Sequence, residues 1–134
     1  MDPQHRFHTD ETFRWVRAEH LAIVATAAVA GLLHLREVSW LRFAIAFLSI
    51  DLVGYLPGAL AFRRTGERPI APLYHHVYNL THSYLVAGIG IASWALVLGR
   101  LEWAMVAIPI HLSGDRGLFG NTYKPTSLPF EASR

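Results

Sequence analysis

The chain has 134 residues, of which 52% are hydrophobic and only 16% are charged. Because soluble domains have about 25% charged residues, this composition indicates a membrane protein. The net charge of +2 is too small to indicate a nucleic-acid-binding protein, and the lack of cysteine excludes disulfides and thiolate metal sites.

Four apolar runs follow one another along the chain, and the third has no Asp, Glu, Lys or Arg. The runs cover residues 15–35, 40–62, 70–98 and 101–118. A helix needs about 20 residues to cross a bilayer, and it satisfies its own backbone polar groups there. The sequence therefore predicts an all-α bundle of four transmembrane helices (15–120) between an N-terminal tail (1–14) and an irregular C-terminal tail (121–134).

Basic side chains are unevenly divided between the two ends of the predicted spans. On the side that carries both termini lie Arg6, Arg14, Arg17, Arg63, Arg64, Arg68, Arg116, Lys124 and Arg134, and on the other side lie Arg36, Arg42 and Arg100. Because cytoplasmic loops carry an excess of Lys and Arg, both termini are predicted to be cytoplasmic. We expect a multi-pass protein of the inner (plasma) membrane of the cell.

Ionisable side chains lie inside the apolar runs, at Asp51, His82, His111 and Asp115. An Asp at membrane depth costs about 2.5–3.5 kcal/mol on insertion scales, and it marks a functional site by default. His111 and Asp115 are spaced i, i+4, so the carboxylate can fix the tautomer of the imidazole and raise its basicity. We predict that these four residues are catalytic, through general acid–base chemistry. The alternative for Asp115 is an ion pair with Arg116 at the end of the helix.

The third run begins with a polar face. His75, Asn79 and His82 are spaced i, i+4, i+7 and share one side of a helix, with Tyr78 beside them and His76 about 100° away. The predicted substrate-binding residues are Tyr55, His75, His76, Tyr78 and Asn79. The alternative is a structural network, since polar side chains often join helices by hydrogen bonds in membranes.

An acid–base cluster in an apolar cavity suits isomerisation or cyclisation of a lipophilic, terpenoid-like molecule, and that chemistry needs no cofactor. The sequence therefore predicts a small membrane isomerase or cyclase, with the polar cavity in the cytoplasmic half of the membrane. A metal-dependent variant would use iron or zinc. Its ligands would be His75, His82, His111 and Asp115. The histidine boxes of membrane di-iron desaturases are absent from the sequence.

The non-enzymatic alternative is a proton-coupled transporter or an accessory membrane subunit. Chains of Asp and His form proton relays, and four spans could form half of a homodimeric transporter. The predicted outer half of the bundle is nearly featureless, which favours a cavity that opens to one side and hence the enzyme.

Two segments, YNLTHSY at 78–84 and HLSGDR at 111–116, carry a family resemblance. They resemble a YN-xx-HSY-like segment and an H-xxx-DR segment of an uncharacterised family of small bacterial four-helix membrane proteins, a domain of unknown function. Residues 51–55 also look like the second helix of that family. In the family, a Gly-rich stretch and a Lys-Tyr or similar pair follow the H-xxx-DR segment, whereas here the pair stands in the reverse order, as Tyr123 and Lys124. The resemblance covers about residues 21–125. It implies the four-helix architecture and the choice of site residues, and it implies no reaction.

Overall fold

A computed structural model describes residues 9–131, and the regular structure in this range is entirely helical. The predicted all-α class is confirmed. The helices are α1 (Asp10–Leu33), α2 (Trp40–Gly54), α3 (Leu56–Arg64), α4 (Pro72–Thr81), α5 (Tyr84–Leu98) and α6 (Ala107–Gly114). A 3₁₀ turn (Trp103–Val106) leads directly into α6, and a π-helical turn (Asp115–Phe119) continues it. Arg6 and Arg134, which entered the predicted charge asymmetry, lie outside the described residues.

The first helix has a polar start and an apolar body. Thr9 and Thr12 form a reciprocal capping box, in which each side chain accepts a hydrogen bond from the other residue's backbone N–H. At about 1.5 Å per residue, the 24 residues of α1 extend about 36 Å. No residue of α1 is fully buried, and large apolar side chains such as Val29, Leu32 and Leu33 are exposed, as expected of a helix in contact with lipid.

Two stretches are long and apolar enough to cross a membrane. They are α1 and the 25-residue unit Trp40–Arg64, which consists of α2 and α3. The α4–α5 pair makes a third candidate, with a bend of 54° between its helices. The fourth predicted span, 101–118, is not one regular α-helix, because α6 has only 8 residues and turns of other types flank it. Helix length and composition therefore support two or three spans.

The break between α4 and α5 has a local cause. The carbonyl of Tyr78 accepts hydrogen bonds from the backbone N–H of His82 (2.9 Å), from His82 Nδ1 (2.9 Å) and from Thr81 Oγ1 (3.0 Å). Such side-chain bonds to the backbone compete with continuation of the helix. Ser83 is extended (φ −89°, ψ 129°), so the predicted continuous span 70–98 is divided into two helices.

The segment 103–119 runs antiparallel to α1. Near the start of α1, a Cβ atom at Gly120 would lie 3.2 Å from the ring of Phe13. Near the end of α1, a Cβ atom at Gly31 would lie 3.4 Å from Val106. The 3₁₀ turn, α6 and the π-helical turn together therefore extend along most of the length of α1.

Two glycines of the unit Trp40–Arg64, Gly54 and Gly58, allow close approach of different partners. A Cβ atom at Gly54 would lie 1.9 Å from Thr81 Oγ1, so α2 and α4 meet there. A Cβ atom at Gly58 would lie 2.3 Å from the ring of Phe130 in the C-terminal segment. Residues 121–131 carry no helix or strand, and they are packed into the bundle, with Phe130 only 1% exposed.

Candidate metal centre

The four residues predicted as catalytic come together at one point. Asp51 lies on α2, His82 ends α4, His111 lies on α6 and Asp115 begins the π-helical turn. One potential ligand atom from each residue lies within 4.8 Å of the other three. His82 Nε2 is 3.3 Å from Asp51 Oδ1 and from Asp115 Oδ2, whereas His111 Nε2 is 3.5 Å and 3.7 Å from the same two atoms. This group of residues could bind a metal ion.

The two Nε2 atoms approach the carboxylates without forming hydrogen bonds. Both are buried, and neither has a hydrogen-bond partner among the described residues. His82 donates its Nδ1–H to the carbonyl of Tyr78, which leaves a lone pair on Nε2 in the neutral ring. That lone pair faces two carboxylate oxygens, which are also acceptors, so the arrangement is repulsive unless a proton or a cation lies between them. Histidines that bind metals commonly hold their second nitrogen in this way, against a backbone carbonyl.

His111 and Asp115 reach the centre from one continuous helical segment. Their i, i+4 spacing places them on one side, and Asp115 begins a π-helical turn whose end is fixed by a hydrogen bond from Asn121 N–H to the carbonyl of Asp115 (2.8 Å). Turns of this kind are rare and often occur at functional sites. The alternative partner of Asp115, Arg116, turns away and donates to the carbonyl of His82 (3.0 Å).

The centre is enclosed by aromatic rings and open at one carboxylate. The side chains of His82 and His111 are 5% and 4% exposed, that of Asp115 is 19% exposed, and that of Asp51 is 48% exposed. The Tyr78 ring stacks on His82 with centroids 3.9 Å apart, and Phe47 packs edge-on against His111 at 4.7 Å. Asp51 is therefore the member of the group that faces the surface.

Several residues predicted to bind substrate contact the C-terminal segment instead. Asn79 Nδ2 donates to the carbonyl of Lys124 (3.0 Å), and Asn79 Oδ1 accepts from the Lys124 N–H (2.7 Å). The Tyr55 hydroxyl donates to Glu131 Oε1 (2.7 Å). These bonds fix the tail against α2 and α4, so the polar atoms of Tyr55 and Asn79 are engaged by the chain itself.

His75 and His76 lie apart from the four-residue group. The buried ring of His75 packs edge-on against Phe130, with centroids 5.3 Å apart. His76 is exposed. The ligand set predicted from the sequence included His75. In the structure, Asp51 instead of His75 joins His82, His111 and Asp115.

A second polar network adjoins the centre on α6. His20 Nδ1 lies 3.0 Å from Ser113 Oγ, and the Tyr84 hydroxyl hydrogen-bonds to the same oxygen. Ser113 is fully buried. The network joins α1, α5 and α6. In the sequence, the one signal for Ser113 is its position between His111 and Asp115.

Two basic residues that were counted in the predicted charge asymmetry, Arg116 and Lys124, have interior partners. Arg116 donates to the carbonyl of His82, at the negative end of the α4 dipole, and its guanidinium lies 5.0 Å from the centroid of Tyr84. Lys124 Nζ donates to the carbonyl of Phe130 (2.6 Å) among three aromatic rings. Burial lowers the pKa of Lys124. Both side chains hold segments that border the centre.

Comparisons of the chain with protein-family models, with curated proteins and with solved structures found no match. The resemblance of the YNLTHSY and HLSGDR segments to an uncharacterised bacterial membrane family stays a prediction.

Proposed function

We propose that the protein is a multi-pass membrane enzyme that holds zinc or iron(II) at Asp51, His82, His111 and Asp115. Its reaction is acid–base chemistry, of the isomerisation or cyclisation type, on a lipophilic, terpenoid-like substrate. The observation that carries the proposal is the convergence of two unpartnered imidazole nitrogens on two carboxylate oxygens.

The four nitrogen–oxygen distances suit a small divalent cation. Tetrahedral zinc with nitrogen and oxygen ligands at 2.0–2.2 Å separates neighbouring ligand atoms by about 3.3–3.6 Å. The four nitrogen–oxygen separations in the group are 3.3, 3.3, 3.5 and 3.7 Å. Two imidazoles argue against magnesium and calcium, which prefer oxygen ligands, and favour zinc or iron.

The proposal includes four membrane crossings. Phe13 and Gly31, which mark the ends of the contact between α1 and the segment 103–119, are about 27 Å apart along a helix. This distance is close to the ~30 Å thickness of the hydrocarbon core. If α1 crosses the membrane, its antiparallel neighbour crosses with it, and both termini are then on the proposed cytoplasmic side.

We propose a deeper position for the centre than the cytoplasmic half of the membrane expected from the sequence. Asp51 lies near the middle of the unit Trp40–Arg64, and His111 lies near the middle of the segment 103–119. These positions favour a centre close to the middle of the membrane. The proton-coupled transporter is less well supported, because α5 carries no Asp, Glu, His, Lys or Arg that could extend a polar path.

A bound ion would supply Lewis acidity toward a substrate oxygen if it accepted that oxygen in addition to the four side chains, as catalytic zinc sites can by expanding their coordination. Asp51, the most exposed of the four residues, lies where an incoming molecule would first meet the centre, and its carboxylate can accept or return a proton there. Phe47 and Tyr78 supply apolar walls against the two imidazoles. This combination is what acid–base chemistry on a hydrocarbon-rich molecule requires.

Metal content tests the proposal directly. The protein is produced without a polyhistidine tag in medium that contains zinc and iron, purified in detergent, and analysed by elemental mass spectrometry. Wild type is expected to hold a stoichiometric metal ion, and His82→Ala and His111→Ala are expected to lose it while circular dichroism shows retained helix.

The matched control is His34→Ala. His34 stacks on Trp103 and bonds to Glu37 at the far end of α1, so its removal takes away a histidine without touching the centre. This variant should retain the metal. Wild type that holds no metal and binds none when zinc or iron(II) is added would refute the proposal.

A further inference from the structure

The exposed side of Asp51 opens onto an apolar surface of α2. Leu48, one turn earlier on the same side of the helix, is 54% exposed, and Leu52 is 57% exposed. Nothing charged lies between Phe43 and Leu60 except Asp51 itself. In a membrane, this surface is in contact with lipid hydrocarbon.

The bend between α4 and α5 leaves this side of the centre uncovered. The unit α2–α3 and α4 are antiparallel neighbours, and Gly54 of α2 meets Thr81 at the end of α4. A straight continuation of α4 would therefore run beside Asp51 and cover it. Instead α5 bends away from the axis of α4 by 54° directly after His82 and Ser83, and none of its residues is buried.

The C-terminal segment closes the approach along α3 and α4. Phe130 is 1% exposed and packs against Gly58 and against the edge of Tyr78, whose face stacks on His82. The backbone of Lys124 is fixed by both polar atoms of Asn79. The stacked rings separate the centre from the water beyond the start of α4.

Together these contacts point to one route to the metal. We propose that the centre is reached from within the bilayer, past Asp51, and that its substrate is an amphiphile that stays dissolved in lipid. A single oxygen-bearing group of that molecule enters beside Asp51, while its hydrocarbon part remains against Leu48 and Leu52. This inference rests on the proposed metal centre and on its place in the membrane.

Two carbodiimides that react with carboxyl groups in the same way, but of which one dissolves in lipid and the other in water, test the route. Metal-free protein in phosphatidylcholine vesicles is treated with lipid-soluble dicyclohexylcarbodiimide or with a charged, water-soluble carbodiimide, and modified carboxyl groups are mapped by mass spectrometry. Asp51 is expected to react faster with the lipid-soluble reagent by about tenfold or more, because moving a charged reagent into an apolar region costs well over 1.4 kcal/mol.

Two carboxyl groups calibrate the reagents in the same samples. Glu67, in the exposed loop between α3 and α4, should react with the water-soluble reagent. Ser49→Asp places a carboxyl group on the exposed surface of α2, two residues from Asp51, and should react with the lipid-soluble one. Asp51→Asn identifies the signal that belongs to Asp51.

The outcomes separate the access route from the metal centre. Equal or faster modification of Asp51 by the water-soluble reagent would overturn the route, and so would modification of Ser49→Asp without modification of Asp51. Added zinc or iron(II) is expected to protect Asp51 from the lipid-soluble reagent. If Asp51 reacts from the lipid and neither metal protects it, the route stands and the metal centre is refuted.

Discussion

Phe130 is expected to be the main anchor of the C-terminal segment. Its side chain is 1% exposed and packs against Gly58, Tyr55 and Tyr78. Truncation of a buried Phe to Ala costs about 3–5 kcal/mol. In Phe130→Ala this cost falls on the equilibrium between the docked and the undocked segment. Since each 1.4 kcal/mol is tenfold, the docked population should fall relative to the undocked one by roughly 10² to several times 10³.

Hydrogen exchange at the Lys124 amide reports this equilibrium. That N–H donates to Asn79 Oδ1 in the docked segment, so it exchanges when the segment opens, and protection tracks the free energy of opening. Phe130→Ala should reduce protection at Lys124 by the factor given above. Leu128→Ala, which truncates a side chain that is 45% exposed in the same segment, should leave protection nearly unchanged.

A second variant approaches the same contact from the opposite side. The Cβ atom of Gly58→Ala would lie 2.3, 2.6 and 2.8 Å from three atoms of the Phe130 ring, so the ring has to leave its position. Gly58→Ala should therefore resemble Phe130→Ala in its loss of protection. Undiminished protection at Lys124 in both variants would show that the segment is held by its hydrogen bonds and that the packing argument is wrong.

Two further substitutions test contacts that position His82. Gly54→Ala places a Cβ atom 1.9 Å from Thr81 Oγ1, and such overpacking should lower the free energy of unfolding by about 1–3 kcal/mol and reduce metal retention. Gly88→Ala is the matched control, because nothing lies within 4 Å of its Cβ position and alanine is favoured in a helix, so equal losses in the two would contradict the explanation. Arg116→Met removes a charged donor from the carbonyl of His82 and should cost about 1.5–3 kcal/mol, measured by denaturation in detergent. An unchanged melting temperature in Arg116→Met would count against a capping role for this side chain.

The predicted catalytic residues show what local sequence patterns can indicate about a site and what they cannot. His111 and Asp115 could be paired from their i, i+4 spacing, and the structure places both in one group. Asp51 could be singled out because it is the one charged residue between Phe43 and Phe62. Which imidazoles it would meet could not be read from the sequence, because His82 and His111 approach from other segments. His75 shares the helical face of His82 and is an equally reasonable ligand by sequence alone, but in the structure its ring packs against Phe130.

The break at His82 was also hidden in the sequence. Residues 70–98 contain no charge and no internal glycine or proline before the break that would stop a helix, apart from Pro72 in its first turn. The interruption depends on the hydrogen bonds that Thr81 and His82 make to the carbonyl of Tyr78. The same pattern of residues is compatible with a straight helix when those side chains point elsewhere.

The sequence by itself determined the helical class, the apolar segments and the set of ionisable residues inside them, because these depend on composition and on the fixed period of a helix. Only the tertiary structure decided that four residues from separate segments form one group, that a bend separates α4 from α5 beside this group, and that the tail forms hydrogen bonds with Tyr55 and Asn79. Those features depend on contacts between distant residues, such as Asn79 with Lys124 and Gly58 with Phe130. Contacts of this kind depend on shape complementarity across the bundle, and the periodicity of a single segment carries no information about that complementarity.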